Sequence, residues 1–249
     1  MSYELYNDDC LNILRNIPDN SVDVILCDLP YGTTPCTWDN NVNINELWVQ
    51  YKRIRKETTP IILFGQEPFS SFLRLSNIKE YRYDWYWEKE RLTNIFQVKY
   101  RPGKTIETIS VFYKKRCYYN PQMCLHTGKP VSNSFSNDAG FSITQIGNTS
   151  KIKPKQYKDT GYRYPTQVLK FNRNEIRKKY HPTQKPISLL EFLIKTYSEE
   201  NDVILDNCMG SGTTGVAALN LNRNFIGIEI DSNYFNIAKN RLESIYCTC

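Results

Sequence analysis

Short apolar runs alternate with amphipathic stretches along most of this chain. The runs Val22–Cys27 and Pro60–Phe64 are mostly apolar and end in turn-forming residues, which is typical of strands buried on both faces of a sheet. Other stretches repeat apolar residues every three or four positions, as amphipathic helices do. The pattern predicts an α/β fold with seven strands, at Tyr3–Asn7, Val22–Cys27, Pro60–Phe64, Tyr81–Lys89, Glu107–Tyr113, 203–206 and 225–230, and with helices at Leu47–Lys56, Pro68–Ser76, Ile187–Thr196, Gly215–Asn220 and Tyr234–Ser244.

Residues 117–180 break this pattern, since they show little periodicity and are rich in Asn, Ser, Thr, Lys and Tyr. The basic residues concentrate in the same region. Between Lys114 and Tyr180 there are 14 basic and three acidic side chains, so this part carries +11 while the whole chain carries +6. An asymmetry of this size within one protein indicates a polyanionic partner.

Composition argues against two further classes of protein. No run approaches 18 apolar residues, and the first residues lack a basic segment before an apolar core, so we expect neither a membrane association nor a signal peptide and place the protein in the cytoplasm. The eight cysteines include no C-x-x-C pair. Cys117, Cys124 and His126 would supply three zinc ligands without a fourth, so reduced thiols and no metal are the better expectation.

The segment Cys27–Gly32 joins a predicted buried strand to a turn. Pro30 restricts its own φ and favours extended geometry at Leu29, so the segment is expected to form a stiff platform. It presents the carboxylate of Asp28, the backbone carbonyl of Leu29 and the ring of Tyr31. Two acceptors beside an aromatic face suit a flat ring that carries an amine. An ordinary strand-to-loop turn fits these residues equally well, so this segment alone leaves both interpretations open.

A second segment, Val203–Thr214, predicts a strand, a glycine-rich turn and the start of a helix. Gly210 and Gly212 allow the backbone to approach a ligand closely, and a helix N-terminus favours an anionic group. Glu229 ends the next predicted strand 17 residues after Gly212, a spacing at which an acid reaches ribose hydroxyls in a βαβ unit. This order of elements indicates an adenosine-containing ligand.

Three segments together resemble the motifs of the DNA amino-methyltransferases. Asp28–Tyr31 resembles the family's catalytic D-P-P-Y motif, Cys208–Gly212 its F-x-G-x-G cofactor motif, and His181–Pro186 its H-P-T-x-K-P block. The order of catalytic motif, variable region, H-P-T-x-K-P block and cofactor motif resembles the circularly permuted β group. The resemblance covers residues 1–116 and 181–243.

Three positions depart from the family pattern. Leu29 and Asn207 replace prolines, and Cys208 replaces a phenylalanine. The family uses the second position of the catalytic motif through its backbone carbonyl, so Leu29 preserves that acceptor. Cys208 removes an aromatic wall from the expected cofactor pocket.

The resemblance implies the Rossmann-like fold of S-adenosylmethionine-dependent methyltransferases, with a seven-stranded mixed sheet and helices on both faces. Residues 1–116 would form the catalytic half, 117–180 a basic target-recognition insert, and 181–249 the cofactor-binding half. Ligands of such sheets bind at the carboxyl ends of the strands. The distant motifs are therefore expected to lie side by side at that edge.

The activity that the resemblance implies is site-specific methyl transfer from S-adenosylmethionine to the N6 amine of a flipped adenine in double-stranded DNA. Asp28 and the Leu29 carbonyl would accept the amine hydrogens, Pro30 would stiffen the platform and Tyr31 would stack on the base. Asp9 suits a helix N-cap and would also lie near the adenine of the cofactor. The resemblance assigns cofactor contacts to Asp9, Thr183, Lys185, Asp206, Met209, Gly210, Gly212, Thr213 and Glu229. Among these, Thr183 and Lys185 would hold the carboxylate of the cofactor.

Several alternatives stay open at this stage. A nicotinamide-dependent oxidoreductase shares the strand, G-x-G and acid, but this chain lacks the third glycine of that fingerprint. Methylation of cytosine N4, methylation of RNA or protein, and a non-catalytic DNA-binding module are the others. Asp28 favours adenine, because N4 enzymes of the family more often carry serine there. A homodimer and a cognate restriction nuclease are further partners to consider.

Within the insert, the side chains expected to reach DNA fall into two groups. Lys151, Lys153 and Lys155 suit phosphate contacts, which carry no base information. Arg163, Gln167, Asn172 and Arg173 are candidates for contacts with base edges. Trp38, in the polar loop 33–44, is a further candidate for packing or for nucleic-acid contact.

Overall fold

The computed structural model describes residues 2–31, 42–125, 161–173 and 179–246. The chain divides into two compact units. The larger contains Met1–Asn120 and Thr166–Cys249, and the smaller contains Pro121–Pro165. The predicted insert, residues 117–180, extends beyond the smaller unit at both ends. Residues 166–173, which were assigned to the insert, belong to the larger unit.

The predicted elements are present with small shifts at their ends. The strands are β1 (Tyr3–Tyr6), β2 (Val24–Cys27), β3 (Ile61–Gly65), β4 (Tyr81–Glu88), β5 (Ile106–Phe112), β6 (Cys124–Leu125), β7 (Tyr162–Arg163), β8 (Val168–Lys170), β9 (Val203–Asp206) and β10 (Asn224–Ile228). The helices are α1 (Cys10–Leu14), α2 (Ile44–Ile54), α3 (Phe69–Ser76), α4 (Ile187–Tyr197), α5 (Thr213–Asn220) and α6 (Ser232–Tyr246), with a short 3₁₀ helix at Ile95–Gln97.

The larger unit is built on one eight-stranded sheet in the order β1-β10-β9-β2-β3-β5-β4-β8. Every neighbouring pair is parallel except those of β5, which runs antiparallel to β3 and β4. The late strands β9 and β10 lie between the early strands β1 and β2. Strands far apart in sequence thus become neighbours, as the permuted motif order predicted.

The sequence predicted a sheet of seven strands, whereas the sheet has eight. The eighth, β8, pairs with β4 through Val168 opposite Tyr86. This strand has three residues, of which only Leu169 is buried, so it gives no hydrophobic pattern of its own. It also falls in the segment assigned to the insert, where no strand was expected.

Helices cover both faces of the sheet, and the side chains of β2 show how. Val24 and Leu26 pack into one apolar cluster with residues of α4, α5 and α6. Ile25 and Cys27 pack into a second cluster with residues of α1, α2 and α3. Because successive side chains of a strand point to opposite faces, the two clusters are the two faces of one three-layer fold. No helix in the described ranges is long and apolar enough to cross a membrane.

The smaller unit contains a two-stranded antiparallel ladder. Cys124 of β6 pairs with Arg163 of β7, and Leu125 pairs with Tyr162. The predicted phosphate contacts Lys151, Lys153 and Lys155 lie outside the described residues, as does Trp38. The role of this region in target recognition stays a prediction.

Candidate active site

A cavity of about 960 Å³ opens at the carboxyl ends of β1, β10, β9, β2 and β3. Its walls include the platform Asp28–Tyr31 after β2, the turn 206–211 after β9 and Glu229 after β10. These strands are parallel neighbours, so their carboxyl ends meet at one edge. The predicted convergence of the motifs therefore occurs, and the volume suits a ligand of drug or nucleotide size.

Asp28 has both of its carboxylate oxygens engaged. The Tyr31 hydroxyl donates to Oδ1 at 2.6 Å, and Lys185 Nζ donates to Oδ2 at 2.5 Å. The side chain is 25% exposed, while that of Lys185 is 8% exposed. The catalytic motif and the H-P-T-x-K-P block are thus joined directly through an ion pair that lies at the cavity wall.

The ion pair extends to two residues that the sequence analysis did not single out. Lys185 Nζ also lies 2.8 Å from Glu107 Oε1. Lys89 Nζ lies 2.5 Å from the other oxygen of Glu107. The Tyr31 hydroxyl is 3.2 Å from Glu107 Oε1. The charges alternate along the series Lys89, Glu107, Lys185 and Asp28, so two ammonium groups balance two carboxylates. We call these four residues the charge chain.

The protonation states of the charge chain follow from burial and pairing. Burial alone would raise the pKa of Glu107, but Lys185 and Lys89 lower it to about 2. Burial raises the pKa of Asp28, and the charge of Glu107 adds to this, while Lys185 and the Tyr31 hydroxyl oppose it. Burial would lower the pKa of Lys185, but the two carboxylates raise it. Lys185 therefore stays charged and keeps the partly buried carboxyl of Asp28 available as an acceptor.

Tyr31 is held on one ring face as well as at its hydroxyl. Its ring stacks on Phe69 of α3, with centroids 5.0 Å apart and an interplanar angle of 29°. Burial, followed by the charges of Asp28 and Glu107, raises the pKa of Tyr31 well above its usual value. The phenol therefore stays neutral and acts as a donor to the carboxylates.

Glu229 braces the glycine-rich turn. Gly210 N donates to its Oε2 at 2.8 Å, and Asp231 N donates to its Oε1 at 2.8 Å. Burial raises the pKa of Glu229, although these two backbone donors oppose the shift. Asp206, the last residue of β9, accepts from Cys208 N at 3.1 Å. Both acids line the cavity.

The two glycines occur in the turn for different structural reasons. Gly210 lines the cavity with φ +52°, and an added Cβ there would meet His181 at an ordinary 3.7 Å. Gly212 has φ +74° and is not among the lining residues. Its added Cβ would lie 2.8 Å from the Cβ of Ala238 and 3.0 Å from Leu242. Gly212 is thus required for the close packing of the turn on α6, whereas Gly210 borders the ligand space.

The remaining cofactor candidates also have local partners. Asp9 accepts from Leu11 N at 2.7 Å and caps α1, as its position predicted. Thr183 Oγ1 lies 2.9 Å from His181 Nδ1, and Thr213 Oγ1 accepts from Arg241 at 3.1 Å. Met209 is buried beneath the turn, where its backbone N–H donates to Ile228 O. All four line the cavity.

The predicted base-reading side chains do not all belong to one unit. Arg173 lines the cavity. Gln167 donates to the backbone carbonyl of Asp84 at 3.1 Å, which gives it a structural role next to β4. Arg163 belongs to the smaller unit.

The thiols in the described ranges are free. Burial raises the pKa of Cys27 to about 12, so this side chain is an uncharged part of the core. Within the same ranges, no grouping of His, Cys, Asp and Glu is suited to hold a metal ion. His126, one of the three ligands considered above, lies outside the described residues.

Comparisons with known proteins give the family. The model of a family described as DNA methylase, with N6 and N4 methyltransferases in its name, matches residues 22–240. The Type II methyltransferase M.HpaI of Haemophilus parainfluenzae is 28% identical over 98% of this chain and 75% of its own length. The solved complex of M1.HpyAVI with SAM aligns with a TM-score of 0.62 and 25% identity, over 96% of this chain and 100% of that one.

A second solved structure is similar in fold alone. The cytosine-N4-specific PvuII DNA methyltransferase aligns with a TM-score of 0.65 over 99% of this chain and 92% of that one, at 17% identity. The predicted α/β methyltransferase fold is therefore confirmed. Since the family model matches most of the sequence and the motif segments meet at one cavity of that fold, the chain belongs to the DNA methylase family.

Proposed function

We propose that this DNA methylase transfers a methyl group from S-adenosylmethionine to the N6 amine of adenine in double-stranded DNA. The observation that carries the proposal is the position of Asp28, which directly follows β2 beside β9 and lines one cavity with the glycine-rich turn. Acceptors for an amine and a pocket for an adenosine-containing cofactor are thus adjacent. The second candidate is cytosine N4, whose amine needs the same acceptors.

The chemistry of the site follows from the weak nucleophilicity of a ring amine, whose lone pair is delocalised. Asp28 and the Leu29 carbonyl accept the two amine hydrogens, which favours a pyramidal nitrogen with an available lone pair. The same acceptors stabilise the positive charge that develops on nitrogen during attack. In this scheme an amine N–H replaces the Tyr31 hydroxyl at Asp28 Oδ1, while Lys185 keeps its place at Oδ2.

The target base must leave the duplex before its amine can reach Asp28. Tyr31 supplies a stacking surface whose orientation is supported by Phe69. Aromatic stacking tolerates either adenine or cytosine. The acceptors and the ring are mounted on a short segment next to the sheet, so positioning contributes much of the acceleration.

The residues of the turn fit the cofactor that the family uses. S-adenosylmethionine supplies an electrophilic methyl group on a sulfonium. Glu229 would accept from its ribose hydroxyls, Asp206 and Gly210 would frame its methionine part, and Asp9 would lie near its adenine. Met209 and Thr213 line the same space, whereas Gly212 acts through the shape of the turn.

Thr183 and Lys185 were both predicted to hold the cofactor carboxylate, and we now propose separate roles. Lys185 is already neutralised by two carboxylates at 2.5 and 2.8 Å, so a third anion would compete with Asp28. We assign Lys185 to the positioning and ionisation of Asp28. Thr183 keeps the proposed contact with the cofactor.

Glu229→Ala is expected to weaken S-adenosylmethionine binding by about tenfold or more, because a charged acceptor for the ribose hydroxyls is lost and the Gly210 N–H loses its partner. Glu229→Gln should be intermediate, since it keeps one acceptor oxygen. Isothermal titration calorimetry measures both. The exposed Glu243→Ala on α6 is the matched control and should bind like the wild type. Binding of NAD without binding of S-adenosylmethionine by the wild type would contradict the proposed cofactor.

Tyr31→Phe is expected to cost only a few-fold in activity near neutral pH, because it keeps the ring, and more at acid pH. Loss of the hydroxyl donor raises the pKa of Asp28, so the active carboxylate is lost at a higher pH than in the wild type. Tyr31→Ala removes the stacking surface and should lower kcat/KM by about 10- to 100-fold. A tritiated-methyl assay across pH measures both variants. Equal losses for Phe and Ala would show that the hydroxyl, and not the ring, is the contribution that matters.

The proposal also includes DNA contacts by the basic region 117–180, a homodimer and a cognate nuclease. The excess positive charge of the region 117–180 supports phosphate contacts, and we propose that this region selects the DNA sequence. To test the function, the protein is expressed in a host without DNA methylation and the host DNA is sequenced for modified bases. Methylated adenine at one recurring sequence supports the proposal, methylated cytosine N4 selects the second candidate, and unmodified DNA contradicts both.

A further inference from the structure

The loop between β4 and β5, residues 89–105, exposes several large apolar side chains and borders the cavity. Phe96 is 97% exposed and Tyr100 is 88% exposed. Leu92, Ile95 and Val98 are also exposed. Apolar groups concentrated on one short surface segment usually mark a binding site. Phe96 lines the same cavity as Asp28 and Tyr31, so whatever the loop contacts lies beside the substrate of the enzyme.

The charge of this loop matches a polyanion. Its basic residues other than Lys89, which belongs to the charge chain, are Arg91, Lys99, Arg101 and Lys104, against the single acid Glu90. Arg101 and Lys104 line the cavity together with Phe96. Basic side chains interleaved with exposed aromatic rings are the usual composition of surfaces that bind nucleic acid.

Hydrogen bonds within the loop join its two ends. Thr93 N donates to Lys104 O at 3.0 Å, and Lys104 N donates to the Asn94 side chain at 2.6 Å. The Asn94 amide in turn donates to Pro102 O at 3.1 Å. The short 3₁₀ helix Ile95–Gln97 continues from Asn94 and carries Phe96. The loop thus has a braced base and an exposed aromatic tip.

The proposed reaction creates a need for such a tip. Extrusion of a base leaves a gap in the stack and an unpaired partner base, at a cost of lost stacking and pairing. An apolar side chain that enters the gap recovers part of this cost, as wedge residues do in other DNA-binding proteins. A basic neighbourhood brings the flanking phosphates close to the same point.

We propose that the 89–105 loop is a second DNA-contacting element, in which Phe96 occupies the space left by the extruded base and Arg101 and Lys104 contact the flanking phosphates. The inference rests on the proposed function, because it takes DNA with an extruded base as the partner. DNA would then be contacted by two parts of the chain, the 89–105 loop and the region 117–180, and not by the region 117–180 alone. The loop assists extrusion, whereas the basic region selects the sequence.

The test compares two duplexes that carry the methylated sequence found in host DNA. In one the target base is paired, and in the other it lies opposite a mismatch, where extrusion costs less. Phe96→Ala should lower kcat/KM about tenfold on the paired duplex and only slightly on the mismatched one. Phe72→Ala is the control, since Phe72 is 69% exposed on α3 and is not a lining residue. It should match the wild type on both duplexes.

Cofactor affinity and the melting temperature of each variant are measured in parallel and should equal those of the wild type. Equal losses on the two duplexes, or no loss on either, would overturn the proposed role of Phe96 while leaving the methyltransferase proposal intact. A wild type that methylates neither duplex would overturn the proposed function, and the inference with it.

Discussion

Replacement of Asp28 by alanine is expected to abolish methyl transfer while leaving S-adenosylmethionine affinity nearly unchanged. In the proposed mechanism this carboxylate accepts from the reacting amine, and loss of one such preorganised group typically costs about 10²- to 10³-fold. The proposed cofactor contacts lie on the turn after β9 and on Glu229, so they should survive the change. Single-turnover assays with tritiated methyl groups measure the first effect, and calorimetry measures the second.

Two variants control this experiment. Asp28→Asn keeps the volume and one acceptor oxygen, so it separates loss of charge from loss of shape. Asp19→Ala removes a carboxylate that is 64% exposed and pairs with Arg53, and it should leave activity unchanged. An active Asp28→Ala variant would refute the mechanism. Loss of cofactor binding in the same variant would indicate that Asp28 contacts the cofactor and not the target base.

Lys185→Met is expected to shift the acid limb of the pH–rate profile to higher pH and to lower activity near neutrality. Without the ammonium group, the carboxyls of Asp28 and Glu107 face each other in a buried site, so the pKa of Asp28 rises further. The active form requires ionised Asp28, so activity is lost at low pH and recovers as pH increases. Methionine is similar in length but uncharged, so it also removes the cation–π contact with Phe64, whose ring centroid lies 4.9 Å from Lys185 Nζ.

The same variant should also be less stable, because Asp28 loses its ammonium partner and Glu107 keeps Lys89 but loses Lys185. Removing one partner of a buried ion pair costs up to about 3–5 kcal/mol. The pKa of Glu107 is lowered to about 2 in the folded protein. Its contribution to stability is therefore present above its ordinary unfolded pKa and is lost as pH falls towards 2. Lys185→Met should weaken this contribution, so its stability disadvantage should shrink on acidification.

Lys89→Met is the matched control, since Lys89 contacts Glu107 but is not among the contacts of Asp28. Its acid limb should move less than that of Lys185→Met. If Lys185→Met leaves the acid limb of the pH–rate profile unchanged and loses cofactor binding instead, the original prediction holds. Lys185 would then bind the cofactor carboxylate.

Much of the fold could be predicted from the sequence because its strong signals are local. The apolar runs that became β2, β3 and β9 are buried on both faces, so they stand out without any knowledge of their neighbours. The motif segments follow such strands directly. Parallel packing then places them at one edge, so the positions of Asp28, Gly210 and Glu229 were predictable. The strand β8 was not, because a three-residue strand depends on its partner β4 for its structure.

The charge chain could not be predicted because its members come from distant segments. Glu107 lies on β5 and Lys89 follows β4, so only the antiparallel pairing of these strands brings the two together. One signal was present: Glu107 interrupts the apolar side of an otherwise buried strand, and a buried acid requires a partner. The partner itself, Lys185, lies 78 residues further along the chain, and its motif context pointed to the cofactor.

The activity proposed for the cavity beside Asp28 is the transfer of a methyl group to a base amine of DNA. Purified protein is incubated with duplex DNA and S-adenosylmethionine labelled in its methyl group, and the DNA is digested to nucleosides for mass spectrometry. The wild type is expected to yield labelled N6-methyladenine, and Asp28→Ala is expected to yield at least about a hundredfold less. Label in a base carbon or only in protein, or equal labelling by the wild type and Asp28→Ala, would contradict the proposed activity.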